Sequence, residues 1–238
     1  MTPVAGHRLA LNELFRRSML PCAAIKGARH RMAAPRRHYH GLDHIACLWT
    51  QHRRLSRGTI FRTSRVERLI ATAIIFHDAI LDPRRSDNEA ASARLWRRRA
   101  AIGCRLPRRF IERVACIIEA TAGHAAGHRE AGCDDPAARW LLDLDLTPIG
   151  APPHRFRSNS SALRAEFVFM AAADWERRTR DFLHALAQRT PIYYSPRIAA
   201  AFAAAAHANL AREPKIPVKP AGRPRTRRVS PDRQPRGR

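Results

Sequence analysis

The chain has 238 residues, 45% of them apolar, which is enough for one sizeable core and short for two. Its formal net charge of +24, carried mostly by arginine spread along the whole length, favours anionic partners and fits equally well a chain with arginine on solvated faces. Five cysteines (Cys22, Cys47, Cys104, Cys116, Cys133), none paired as CxxC, argue against a disulfide framework or a Cys-rich zinc site and suit a reducing, cytoplasmic setting.

In chain order, the first predicted helix covers 8–20, and "MTPVAGHRLALNELFRRSML" has neither the apolar run nor the cleavage pattern of a secretory signal. "RRHYHGLDHIACL" (36–48) then sets His38, His40 and His44 at the edge of an apolar run. A helix over 40–55 stacks His40 and His44 one turn apart on one face. The clearest helical period is "RVERLIATAIIFHDAIL" (65–81), where Val66, Leu69, Ile70, Ala73, Ile74, His77 and Leu81 form one stripe. Asp82-Pro83 stops it. Further helices are predicted over 88–101, 107–121, 136–146, 161–188 and 196–212, joined by Gly, Pro, Asp and Ser in "DPRRSD", "GCRLP", "GHREAGCDDP" and "GAPPHRFRSNS". The longest greasy stretch, "IAAAFAAAAHANLA", is alanine-dominated and shorter than the ~20 residues that span a bilayer, so no membrane partner is expected. Alternating β-branched runs are nearly absent. The expectation is an all-α, single compact domain over 1–213. Residues 214–238, with nine Lys/Arg against one acid, read as a disordered basic tail able to touch nucleic acid non-specifically.

Three clusters carry chemistry. In "FHDAILD" (76–82) Asp78 flanks the apolar stripe that holds His77, and burying a carboxylate there requires a cation, a cap or an arginine partner. In "ARWLLDLDLTPIG" (138–150) Asp143 and Asp145 sit among leucines, which again calls for a cation or a proton, unless the acids of a helix C-terminus face solvent. With His44 these give two imidazoles and two carboxylates from distant segments: His44, His77, Asp78 and one of Asp143 and Asp145. Four N/O donors without thiolates suit Mn, Fe, Co, Ni, Zn or Mg.

The order "RRHYHGLDHI", "IIFHDAILDPRRSDNEAASA", "IEATAGH", "LLDLDLTPIG", "LRAEF", "RRTRDFLHAL", "AHANLARE", spanning roughly 35–213, resembles the HD superfamily of metal-dependent phosphohydrolases. It is closer still to a bacterial branch described as predicted metal-dependent HD phosphohydrolases. The resemblance implies an HD-type helical bundle whose divalent ion is held by His44, His77, Asp78 and a late aspartate. Asp145 is favoured, because the second acid is the ligand in the "DxD" members; Asp143 is then left to catalysis. "YHGLDH" also resembles cyclic-nucleotide phosphodiesterases and implies His40 as general acid, although Gly41 stands where those enzymes usually have Asn. By the same resemblance Glu89, beside Asn88 in "DNEAASA", orients water, and His124 lines the site. His128 has no counterpart and is assigned to a loop. Arg37 and Arg164 are candidate phosphate clamps. "AAAAHANL" departs from the family, with alanines and His207 where a Glu and an Arg usually precede "NL". The implied activity is hydrolysis of a phosphate mono- or diester, a nucleotide foremost, by metal-activated water. The alternative is a nucleotide- or RNA-binding protein with a structural or vestigial metal site.

Overall fold

The computed structural model describes residues 3–123 and 134–212, and ten α-helices with short 3-10 turns make up the regular structure among them, without a strand. The all-α expectation holds. The axis of the bundle is α4 (Ser64–Phe76), whose Leu69, Ile70, Ala73, Ile74, Ile75 and Phe76 are buried around its whole circumference. A helix apolar on every side is stable only inside other helices. Six surround it: α1 (Pro3–Ser18), α2 (Cys22–Met32), α3 (Leu42–Leu55), α5 (Asn88–Gly103), α6 (Arg108–Ala120) and α7 (Pro136–Asp145). Then come α8 (Pro153–Glu166), α9 (Ala172–Ala187) and α10 (Pro196–Arg212), with α10 lying on the 3-10 turn Thr147–Gly150.

The buried tryptophans have partners for their polar atoms. Trp49, Trp96 and Trp140 are fully buried, and their indole N–H groups donate to Glu13 (3.2 Å), the Ile111 carbonyl (2.9 Å) and His52 Nδ1 (3.0 Å). Part of the positive charge also turns inward. Glu67 is only 2% exposed and receives Arg17 at 3.0 Å, Arg53 at 2.6 Å and Arg62 at 3.3 Å, which ties α1, α3 and the turn Ile60–Arg62 to α4. At the far end Asn209 donates to the carbonyls of Ile149 and Ala151, both at 2.8 Å, and a Cβ on Gly150 would lie 2.6 Å from the Phe202 carbonyl oxygen. Only glycine lets α10 approach that closely.

Several boundaries differ from expectation. The chain forms α2, which the periodicity did not predict, because its buried face is Ala24, Ile25, Ala28 and Met32, mostly methyl groups. The helix expected over 40–55 starts at Leu42, so His40 stands outside it. The helix expected over 65–81 ends at Phe76. The stretch 161–188 is two helices, and the first begins at Pro153, within the predicted connection, since proline is well placed at a first helical position. Among the described cysteines, Cys22, Cys47 and Cys104 are free, whereas Cys116 is disulfide-bonded, a bond that the expectation of no disulfide framework did not include. No helix among the described residues is long and apolar enough to cross a membrane. His124, His128 and the basic tail from 214 lie outside the described residues.

Candidate metal centre

Three helix ends deliver the cluster. His44 lies in the first turn of α3, behind the extended cap Gly41, and is 6% exposed. His77, 1% exposed, is the C-cap of α4, and Asp78 follows it. Asp145 is the last residue of α7. The ends of α4 and α7 each bring the negative pole of a helix toward the carboxylates, an arrangement that favours a positive charge between them.

Hydrogen bonds explain why α4 stops where it does. Arg37 Nη1 donates to the carbonyls of Asp78 (2.7 Å) and His40 (3.1 Å), and Nη2 to that of Ala79 (3.3 Å). Ser92 Oγ accepts from Ile80 N at 3.0 Å and donates to the Ile80 carbonyl at 3.2 Å. Asn88 brackets Asp82, accepting from its N–H and donating to its carbonyl, both at 2.9 Å. The carbonyls just past α4 are therefore engaged by side chains, and the turn that presents His77 and Asp78 is fixed from both sides.

His44 Nε2 lies 2.9 Å from Asp145 Oδ1 and 3.6 Å from Asp78 Oδ2; His77 Nε2 lies 2.9 Å from Asp78 Oδ2 and 3.9 Å from Asp145 Oδ1. The ligand atoms of His44, His77 and Asp145 all fall within 4.8 Å of one another, and this trio can hold a metal ion. His77 Nδ1 donates to the Ile74 carbonyl at 3.0 Å, which fixes the ring and turns Nε2 toward the carboxylates. Nε2 of both histidines and Oδ2 of Asp78 are buried without a hydrogen-bond partner among the described residues. Such atoms are costly unless something binds them. The two imidazole nitrogens and the Asp145 carboxylate lie close enough together to share one cation, and Asp78 stands at their edge, in contact with His77.

The electrostatics agree. Burial opposes a charge on His77, but the Asp78 carboxylate outweighs it and lifts the imidazole to about 9. Burial would likewise raise Asp78, yet His77 and His40 hold it well below the usual carboxylate range.

Beside the cluster, His40 Nδ1 lies 2.6 Å from Glu166 Oε2, and Glu166 Oε1 accepts from the backbone N–H of Tyr39 (2.8 Å) and His40 (2.9 Å). Glu166 thus fixes both the ring and the backbone of His40. Burial works against the protonated His40, while Asp78 and Glu166 overcome it and raise its pKa. The Tyr39 ring packs against both His40 and His44, with centroids at 4.8 and 5.1 Å. Neither Tyr39 nor Glu166 was among the predicted site residues. "LRAEF" contained the signal for Glu166, but nothing in a linear reading joins it to a histidine 126 positions earlier.

The other predicted residues separate from the centre. Asp143, two positions before Asp145, accepts from the backbone N–H groups of Tyr194 (3.0 Å) and Ser195 (2.6 Å), and burial lifts it to about 6. It anchors the segment leading into α10, so the expected catalytic role is corrected to a structural one. Arg37 has both terminal guanidinium nitrogens on backbone carbonyls, a structural placement where a phosphate clamp was expected. Arg164 donates to the carbonyls of Phe167 and Met170 and stacks on Trp175, closing the turn between α8 and α9. Glu89, on the first turn of α5, makes no ion pair or hydrogen bond with the cluster among the described residues. His38 and His207 are exposed. No protein-family model, curated protein or solved structure matches this chain.

Proposed function

We propose that this chain is a metal-dependent phosphohydrolase of HD type, acting on a small phosphate mono- or diester, with nucleotides the foremost class. The observation that carries the reading is the convergence of His44, His77 and Asp145, with Asp78 beside them, next to a histidine held by its own glutamate. His44, His77, Asp78 and Asp145 would hold a divalent ion, and the donor set admits Mn, Fe, Co, Ni, Zn or Mg. Such an ion supplies polarisation of a phosphoryl oxygen and a water acidic enough to ionise near neutral pH.

The chain's own groups do the rest. Glu166 keeps the Nδ1 proton of His40 in place, which leaves Nε2 to carry the proton given to the departing ester oxygen. The carboxylate then stabilises the imidazolium between turnovers. Arg37 locks the His40 loop to the Asp78–Ala79 backbone, so donor and ligands keep a fixed separation. A net charge of +24 draws phosphorylated substrates toward the surface.

The test is a screen of phosphomonoesters, phosphodiesters and nucleotides with the purified full chain and added divalent ions, run beside His77→Ala and Asp78→Ala. Hydrolysis by the wild type that both substitutions abolish is the expected result. Equal turnover by all three proteins overturns the assignment.

A further inference from the structure

Away from the metal centre, α1 and α3 bring a second set of reactive side chains together. His7 of α1 sets Nδ1 3.0 Å from Asp43 Oδ1 and Nε2 3.7 Å from Cys47 Sγ. Asp43 and Cys47 lie four residues apart on α3 and so share a face, and Cys47 is a free, exposed thiol. With the Nδ1 proton donated to the carboxylate, His7 turns a bare Nε2 toward the thiol. Nucleophile contacts base, and base contacts an orienting acid, which is the order of contacts that activates a thiol.

We propose that Cys47 is a nucleophilic thiol, activated by His7 and Asp43, and a modification site for small anionic disulfides. In the exchange, the Cys47 proton passes to His7 Nε2 as Sγ attacks one sulfur of the reagent. A mixed disulfide forms at Cys47, the reagent's own S–S bond breaks, and its second half leaves as a thiolate while His7 returns its proton to solvent. Partial desolvation of the sulfur and the charge of Asp43 push the Cys47 thiol up, and the His7 contact at 3.7 Å works against both by giving its proton a place to go. Arg155 of α8 also acts to lower the Cys47 thiol, and with the net charge of +24 it selects a reagent that bears negative charge. The site is independent of the phosphohydrolase reading.

Cys22 is an internal reference, being free and exposed but without a base in contact among the described residues. The full chain is treated with dithiobis(nitrobenzoate), a dianionic disulfide, near neutral pH, and each cysteine's rate is read by peptide mass mapping. Cystamine, a dicationic disulfide, serves as the comparison reagent. Cys47 is expected to react about a hundredfold faster than Cys22 with the anionic reagent, the low end of a general-base effect, and to lose that advantage with cystamine. His7→Gln and Asp43→Asn are each expected to bring Cys47 down to the Cys22 rate while Cys22 itself is unchanged. Equal rates for Cys47 and Cys22 in the wild type, or a Cys47 rate indifferent to both substitutions, overturn the proposal.

Discussion

Replacing Arg37 with Gln separates two roles for this side chain. A phosphate clamp would cost substrate affinity and leave stability alone. A staple between the His40 loop and the Asp78–Ala79 turn would cost stability and metal affinity together. The structure supports the staple, with three charged-donor bonds at 2.7, 3.1 and 3.3 Å. Bonds from charged donors contribute about 1.5–3 kcal/mol each. Two of these share one nitrogen and the third is long, so the loss is about 3–4 kcal/mol. That is a large share of the ~5–15 kcal/mol that stabilises a typical domain. At roughly 2–4 °C per kcal/mol for a chain of this size, Arg37→Gln should lower the Tm by about 6–16 °C. Thermal unfolding followed by far-ultraviolet circular dichroism measures the first effect, and titration of the folded variant with a divalent ion measures the second. A Tm within about 2 °C of wild type with unaltered metal affinity would refute the staple.

Three further outcomes follow from other contacts. Glu166→Gln should leave metal binding intact and shift the alkaline limb of the pH–rate profile for ester hydrolysis to lower pH, because one of the carboxylates that raise His40, after Asp78, is gone; an unmoved limb removes His40 as the proton donor. Burial, then Arg62 and Arg53, depress His52 to about 3 from 6.5, so the unfolded chain takes up a proton that the folded chain refuses. This group therefore costs the folded state nothing above about pH 6.5 and an increasing amount as pH drops toward 3, and His52→Gln should remove that part of the acid loss in urea midpoints. Gly150→Ala should cost about 1–3 kcal/mol by driving a methyl group into the Phe202 backbone, read as a lower urea midpoint.

The parts of the fold and site that show in the sequence are those where a polar residue interrupts a strong apolar pattern. His77, Asp78 and Asp145 stand out because burying them among isoleucines and leucines needs a reason. Asp143 is flanked by the same leucines. Only its position two residues away, on the opposite side of a helix, decides that it binds backbone and not the cluster. The helix α2 stays hidden because alanines supply most of its buried face and register weakly as a hydrophobic stripe. Arg37 and Arg164 resemble phosphate ligands in a chain with 44 Lys and Arg, and which basic residues turn inward to carbonyls depends on loop geometry that no local pattern encodes. Glu166 meets His40 across 126 residues, a pairing made by the packing of the bundle.

The most direct measurement is equilibrium dialysis of the full chain, first stripped with chelator, against a divalent ion such as Mn, with bound metal counted. His44→Ala, His77→Ala and Asp145→Asn are measured alongside. The wild type should bind saturably, and each substitution should weaken binding by at least about tenfold while the apo protein stays folded by circular dichroism. Binding by the three variants equal to that of the wild type, or no saturable binding by the wild type with any divalent ion, would contradict a metal centre at the junction of α3, α4 and α7.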